Sequence, residues 1–313
     1  KNLIKKMKAQ KIKIRDYNDY RKKWSDAINA KILSDFPLHI DIELTSNCNL
    51  RCEMCWQSKD PNAFPKGMMS EKLFKKVIDE GVNNGLCAIK LQSRGEAMMH
   101  PKIFEYSRYA KDKGVMDIHL TTNGTLFMKK NKISELFESG IDKLIFSIDD
   151  AHDKSIDEIY KRKKPNIREY FKEICKIKKD RKLEKPFMVV QTFGDNEKNL
   201  IEIKQKLKIQ YPDANDINVN LLWESLPDKE SYKNLKYNYK YLPCSYLWSR
   251  ILVYWDGTTT TCCRDYSGEN LTLGDVNSDN IKNLWNSNKM NTYRKIHLKN
   301  EREKLKICAN CSI

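Results

Sequence analysis

The stretch His39-Ile40-Asp41-Ile42-Glu43-Leu44-Thr45-Ser46-Asn47-Cys48-Asn49-Leu50-Arg51-Cys52-Glu53-Met54-Cys55 decides the fold. Its first six residues alternate polar and apolar with period two, the pattern of a strand. That strand runs straight into a loop bearing Cys48, Cys52 and Cys55 in the spacing Cys-x3-Cys-x2-Cys. Three thiolates on one short loop can grip three irons of a cubic [4Fe–4S] cluster and leave the fourth iron open to a small molecule. Zinc is the other occupant to weigh. Structural zinc sites take four ligands, usually as two Cys or His pairs, and no His adjoins this loop.

Downstream the pattern repeats. Ser70 caps a helix that begins at Glu71 and carries Leu73, Val77 and Ile78. Strands are expected at 88–92, 117–122, 144–148, 187–191 and 217–222, with helices at 103–113, 133–138, 156–162, 167–179 and 200–207. Strand and helix thus alternate six times, which predicts an α/β fold with a parallel sheet covered by helices. Six βα units instead of eight make a partial (βα)6 TIM-like barrel. In such sheets chemistry gathers at the carboxyl ends of the strands. The cysteine loop, Arg94-Gly95-Glu96, Asn123-Gly124 and Asp149-Asp150 all fall there.

Residues 1–37 read as a basic N-terminal helical arm, 38–226 as the barrel, 227–242 as a polar linker, and 243–313 as a small C-terminal domain. The last is expected to hold a β-hairpin, Arg250–Trp255 and Thr258–Cys262 around an Asp256-Gly257 turn, then a helix through Ile281, Leu284 and Trp285. Cys244, Cys262, Cys308 and Cys311 suit either zinc or a fully ligated [4Fe–4S] cluster, and spacing alone does not choose. Cys263 competes with Cys262 for its place. Cys87 and Cys175 stand alone and read as packing residues. His100, before Pro101, reads as a hydrogen-bonded loop histidine.

The 313 residues include 58 Lys and Arg against 42 Asp and Glu, a net charge of +16. The positive residues are spread along a chain rich in Lys, Asn and Ile throughout, so composition explains the charge without a nucleic-acid surface. A basic iron–sulfur protein that binds RNA would also leave the three-cysteine loop unexplained. An apolar content of 40% excludes general disorder. No run approaches the ~18 apolar residues of a membrane span. With no signal peptide before the first cysteine, a reducing cytoplasm is the expected compartment.

The three-cysteine loop after a first strand, Gly95-Glu96 after a second, and the six βα units resemble the radical S-adenosylmethionine (SAM) enzymes, over residues 39–223. The resemblance implies that the open iron holds the amino and carboxylate groups of SAM. An electron from the cluster then cleaves the sulfonium, giving methionine and a 5′-deoxyadenosyl radical that abstracts a substrate hydrogen. It also implies cofactor contacts. Gly95 and Glu96 lie in the segment whose backbone carbonyls take the methionine amino group, with Arg94 where the commoner form has another Gly. Ser147 and Asp149 match positions facing ribose and carboxylate, although Asp149 could equally cap the next helix. Asn123 is placed to reach the cofactor, while Asn-Gly is also ordinary turn chemistry. Met54 stands where an aromatic often touches adenine.

At the C-terminus, Cys244-x12-Gly257-x4-Cys262, the Ile-x2-Leu-Trp helix and the closing Cys-x2-Cys are similar to the twitch and SPASM auxiliary-cluster domains. This implies one auxiliary [4Fe–4S] cluster on Cys244, Cys262, Cys308 and Cys311, the Gly-x4-Cys count favouring Cys262 over Cys263. Twitch-bearing relatives include an aminocyclitol secondary-alcohol dehydrogenase. The expected reaction is therefore oxidation or epimerisation of a sugar-like or aminocyclitol alcohol. Peptide modification is the alternative, and residues 1–37 are too short for the leader-binding domain such maturases usually carry. The expected partners are a small carbohydrate-like substrate and an acidic reductant, flavodoxin or ferredoxin. No catalytic acid, base or hydrogen donor is identified. Gln191, Trp223 and Glu224 are candidates to meet substrate.

Overall fold

The computed structural model describes residues 9–194, 197–221, 243–309 and 311. The expected linker at 227–242, with Trp223 and Glu224, lies outside the described residues. Six strands, β1 His39–Ile42, β2 Ala88–Leu91, β3 Asp117–Thr122, β4 Lys143–Ser147, β5 Phe187–Gly194 and β6 Asp216–Leu221, pair in parallel and in chain order. Helices separate them, as the sequence pattern predicts. Ser70 accepts a hydrogen bond from the Leu73 backbone N–H and caps the Glu71–Asn83 helix.

The period-two alternation divides the sheet into two faces. Ile40, Ile42, Ile89, Leu91, Ile118 and Leu120 point outward into the main apolar core beneath the helices. Asp41, Lys90, His119 and Lys143 are register partners on the opposite, inner face. Toward the carboxyl ends that face carries Thr121, Ser147 and Gln191, then Asn218 and Asn220 of β6. Ile145 and Val189 interrupt this otherwise largely polar face.

Its base is closed by the Tyr17–Ile28 helix, whose Asp16 side chain accepts from the Asp19 N–H at 2.8 Å. Tyr20, Trp24 and Ala27 pack against Leu38, Cys87 and Ala88 in a separate apolar cluster. Cys87 and Cys175 are both buried, as packing residues would be. His100 is buried and hydrogen-bonded, its Nε2 3.1 Å from the Met69 carbonyl and its Nδ1 accepting from the Lys102 N–H at 3.2 Å.

The C-terminal hairpin continues the barrel sheet. β7 Arg250–Val253 lies parallel to β1, pairing His39 with Arg250 and Ile42 with Val253, and β8 Thr258–Thr260 and β9 Thr272–Asp275 follow antiparallel. One sheet of nine strands results, in the order β6-β5-β4-β3-β2-β1-β7-β8-β9. The reason lies in the pattern of β7. Ile251 and Val253 continue the apolar outer face, so docking on β1 buries both and satisfies the edge of β1. β9, a four-residue strand, has no counterpart in the sequence reading. The Ile281–Asn286 helix docks by Lys282 N–H to Glu80 and by Trp285 Nε1 to the Ser34 carbonyl.

Candidate functional site

The cysteine loop leaves β1 at the carboxyl end of the sheet and is pinned from every side. Ser46 N–H and Thr45 Oγ1 donate to the Gly67 carbonyl at 3.1 and 2.8 Å. Gln57, buried, donates to the carbonyls of Ser46 and Arg94. The Glu96 N–H donates to the Asn47 carbonyl at 2.8 Å, and Arg51 N–H donates to Ser155 Oγ at 2.7 Å. Asn49 gives its amide to Thr125 Oγ1 at 2.7 Å and Tyr160 Oη at 2.8 Å.

Glu96 and Asn123 belong to this support. The buried Glu96 carboxylate accepts from Thr122 Oγ1 and the Asn123 N–H, both at 2.8 Å, and from the Met98 N–H at 3.0 Å. Asn123 donates to Asn49 Oδ1 at 3.0 Å and accepts from the Thr125 N–H and hydroxyl. Its side chain is thus engaged in ordering the loop. Gly95 has no room for a side chain, since a Cβ there would stand 2.3 Å from the Thr45 carbonyl oxygen. Met54 and Asp149 line one cleft of about 1390 Å³ on the flank of the barrel. Ser147 is half-buried on the inner face opposite Gln191.

Cys48, Cys52 and Cys55 are electrostatic neighbours. Burial, with the Glu96 charge beside it, pushes the Cys48 thiol up to about 12, and burial raises Cys55 as well. Crowded buried thiols stay protonated until a metal takes them as thiolates. Among the described residues no three His, Cys, Asp or Glu side chains converge tightly enough for a single ion. A cubic cluster, with one thiolate per corner iron, holds its cysteines wider apart. The donor set fits that group.

A second cavity gathers Cys244, Cys262, Cys263, Cys308 and Cys311 with Tyr246, Arg264 and His297. Arg264 donates its N–H to Cys262 Sγ at 3.4 Å and its guanidinium to Cys311 Sγ at 3.8 Å. Cys262 has Cys263, Cys244 and Cys308 as electrostatic neighbours, and Cys263, which hydrogen-bonds the Tyr246 side chain and faces Asp41 and Arg250 of the inner sheet face, also neighbours Cys244 and Cys311. Burial pushes Cys244 up to about 11 and Cys308 up to about 12. This donor set, too, suits an iron–sulfur cluster.

Two contacts join the sites. Trp56, following Cys55, stacks on Tyr266 with ring centroids 6.1 Å apart. Arg94 forms a bidentate pair with Glu43 at 2.6 and 2.8 Å, donates to the Tyr266 carbonyl at 2.9 Å, and lies 3.7 Å from the Tyr254 ring centroid. Sequence reasoning missed Glu43, Asn49, Gln57, Thr122, Thr125 and Tyr160 as supports. Only Glu43 carried a signal, as a polar residue at the end of an alternating strand.

The family model of the radical SAM superfamily matches residues 42–207, and that of the SPASM iron–sulfur cluster-binding domain matches residues 244–312. The AdoMet-dependent heme synthase of Methanosarcina barkeri is 31% identical over 177 residues, 56% of this chain and 48% of that protein. The antilisterial bacteriocin subtilosin biosynthesis protein AlbA of Bacillus subtilis is 35% identical over 112 residues, 36% of this chain and 24% of that protein. The chain spans half or less of the length of these curated relatives. Among solved structures, BtrN in complex with AdoMet and 2-DOIA superposes with a TM-score of 0.61 at 16% identity, covering 88% of this chain and 92% of that one. Native anSMEcpe with bound AdoMet gives 0.59 at 19% identity, covering 88% of each. At such identities the likeness is one of fold. The two domains bring a SAM-binding [4Fe–4S] cluster and an auxiliary iron–sulfur cluster as cofactors. With a match over more than half its length, this chain belongs to the radical SAM superfamily and carries a C-terminal SPASM domain.

Proposed function

We propose that this radical SAM enzyme oxidises or epimerises a secondary alcohol of a small, sugar-like molecule. The observation that carries the reading is the polar inner face. Ser147, Gln191 and Asn218 share one row toward the carboxyl ends of β4 to β6, with Asn220 beyond them and Thr121 of β3 one row below, on the face away from the apolar core. Such side chains offer both donors and acceptors and suit a molecule dense in hydroxyls.

When bound, SAM and the two clusters supply the hydrogen-abstracting radical, the electron that generates it, and an acceptor for the electron a carbinol radical releases. The chain supplies placement. Cys48, Cys52 and Cys55 are the proposed ligands of the first cluster, and Cys244, Cys262, Cys308 and Cys311 those of the second. Gly95, Glu96, Asn123, Ser147, Asp149 and Met54 are the proposed cofactor contacts, Glu96 and Asn123 also bracing the loop. A flavodoxin- or ferredoxin-type donor is the proposed reductant, and a charge of +16 favours docking an acidic partner.

The test uses anaerobically reconstituted protein with SAM, reductant and candidate polyols. Equimolar 5′-deoxyadenosine and ketone mark oxidation, and an inverted carbinol carrying solvent deuterium marks epimerisation. Deoxyadenosine formed while every polyol is recovered unchanged would count against the reading. Peptide modification is the second reading, supported by the similarity to AlbA and by the broad cleft beside Met54. It requires a mass change in a precursor peptide.

A further inference from the structure

The inner face carries two lysines, Lys90 and Lys143, beside carboxylates that already have other partners. Asp41 is taken by Arg250 at 3.4 Å and by His39, whose Nε2 stands 2.9 Å from Oδ1. Asp117, nearer the base, is taken by His119 at 2.9 Å and by the Tyr17 hydroxyl at 3.4 Å. Glu43, nearer the cysteine loop, is taken by Arg94. Lys90 lies in the field of Asp41 and Lys143 in that of Asp117. Among the described residues neither Nζ has a hydrogen bond or an ion pair, and the Phe187 ring lies 5.8 Å from that of Lys143.

The register places both lysines in one row with Asp41 and His119, both are half-buried, and each lies within the field of the other. Two ammonium groups sharing a partly dry cavity repel each other. An anion between them replaces that repulsion with charge-assisted hydrogen bonds. A separate observation also points to a ligand. Thr121, on the same face and nearer the carboxyl ends, is 5% exposed, and its hydroxyl has no partner among the described residues. Among the described residues the side-chain oxygen of Gln92, which directly follows β2, also has none. Buried polar atoms are rarely left so.

We propose that the barrel interior binds an anionic group of the substrate, a carboxylate or a phosphate, between Lys90 and Lys143, with Thr121 and Gln92 bonding the neutral part above it. The proposal rests on the sugar-like-alcohol reading and narrows it. An amino-bearing cyclitol would meet two like charges there, whereas an acidic or phosphorylated sugar meets its counter-ions. The depth suits such a molecule. From Asp41, level with Lys90, to Thr45, where the cysteine loop begins, the strand climbs about 13 Å, room for a sugar ring with its anionic group at the far end.

The experiment titrates the reconstituted full chain with glucuronate, glucose 6-phosphate, inorganic phosphate and neutral myo-inositol, read by calorimetry and thermal midpoint. One of the two sugar anions should bind at least tenfold tighter than inositol, and which one identifies the anionic group as carboxylate or phosphate. Inorganic phosphate should compete. Lys90→Gln and Lys143→Gln should each weaken that probe about tenfold, with Lys90→Arg retaining most of the affinity. Equal binding of neutral and anionic probes by the wild type, or a preference that survives in the double Gln variant, overturns the proposal. The wild-type comparison stands even where a variant fails to fold. These measurements need no SAM cleavage, so they fail or succeed independently of the deoxyadenosine test.

Discussion

A methyl group on Gly95 would stand 2.3 Å from the Thr45 carbonyl oxygen and 2.5 Å from that of Asn47. Both are backbone atoms at the root of the cysteine loop, so the loop itself would have to move. Gly95→Ala is expected to yield folded protein that takes up the auxiliary cluster but loses most iron and sulfide from the other, measured by elemental analysis and magnetic resonance. The adjacent cysteines divide similarly. Cys262 neighbours Cys244 and Cys308, and Cys263 neighbours Cys244 and Cys311 but is also engaged by the Tyr246 hydroxyl. Cys262→Ala should abolish the auxiliary signal and Cys263→Ala should leave it, with the reverse outcome reassigning the ligand. The three-cysteine loop was legible because its spacing is local. The supports around it were not. Asn49 and Tyr160 meet across 111 positions of sequence, and no periodicity records that encounter.

Between elements, the Glu43–Arg94 pair ties the end of β1 to the loop after β2 and, through the Tyr266 carbonyl, to the C-terminal hairpin region. Both side chains are at most 3% exposed. Glu43→Leu strands a buried guanidinium and should cost about 3–5 kcal/mol. Glu43→Leu with Arg94→Met should recover much of that loss, because no charge is left unpaired. Urea midpoints of the two variants and the wild type decide. A double variant no more stable than the single would mean that Arg94 acts through stacking on Tyr254 and Phe64 instead. Helix starts such as Ser70 could be read in advance, since capping is settled within four residues. β9 could not. Thr272–Asp275 is short, and it becomes a strand by pairing with β8.

For the molecule as a whole, acid should be destabilising through the buried base of the barrel. Burial, reinforced by Arg250, holds His39 down to about 4, against an ordinary value of 6.5. The unfolded chain therefore takes this proton first as pH falls. The stability owed to the neutral ring is complete above about pH 6.5 and is lost progressively toward pH 4, about 2 kcal/mol of it by pH 5. His39→Gln should flatten the change in urea midpoint between pH 7 and pH 5. An unchanged slope would assign the acid sensitivity to other groups.

Local chemistry was enough to determine two things from the chain alone, the βα repeat and the cysteine loop at the end of its first strand, and to single out the cysteines that the C-terminal domain gathers. Periodicity, caps and ligand spacing all act within a dozen residues. Only the tertiary structure decided that β7 continues the barrel sheet beside β1, that Glu96 and Asn123 brace the loop, and that Lys90 and Lys143 share an interior face, neither in an ion pair among the described residues. Strand order and the pairing of buried charges depend on which distant segments meet. Burial then makes those meetings consequential, because a charge or hydrogen-bonding group removed from water must find its partner in the fold.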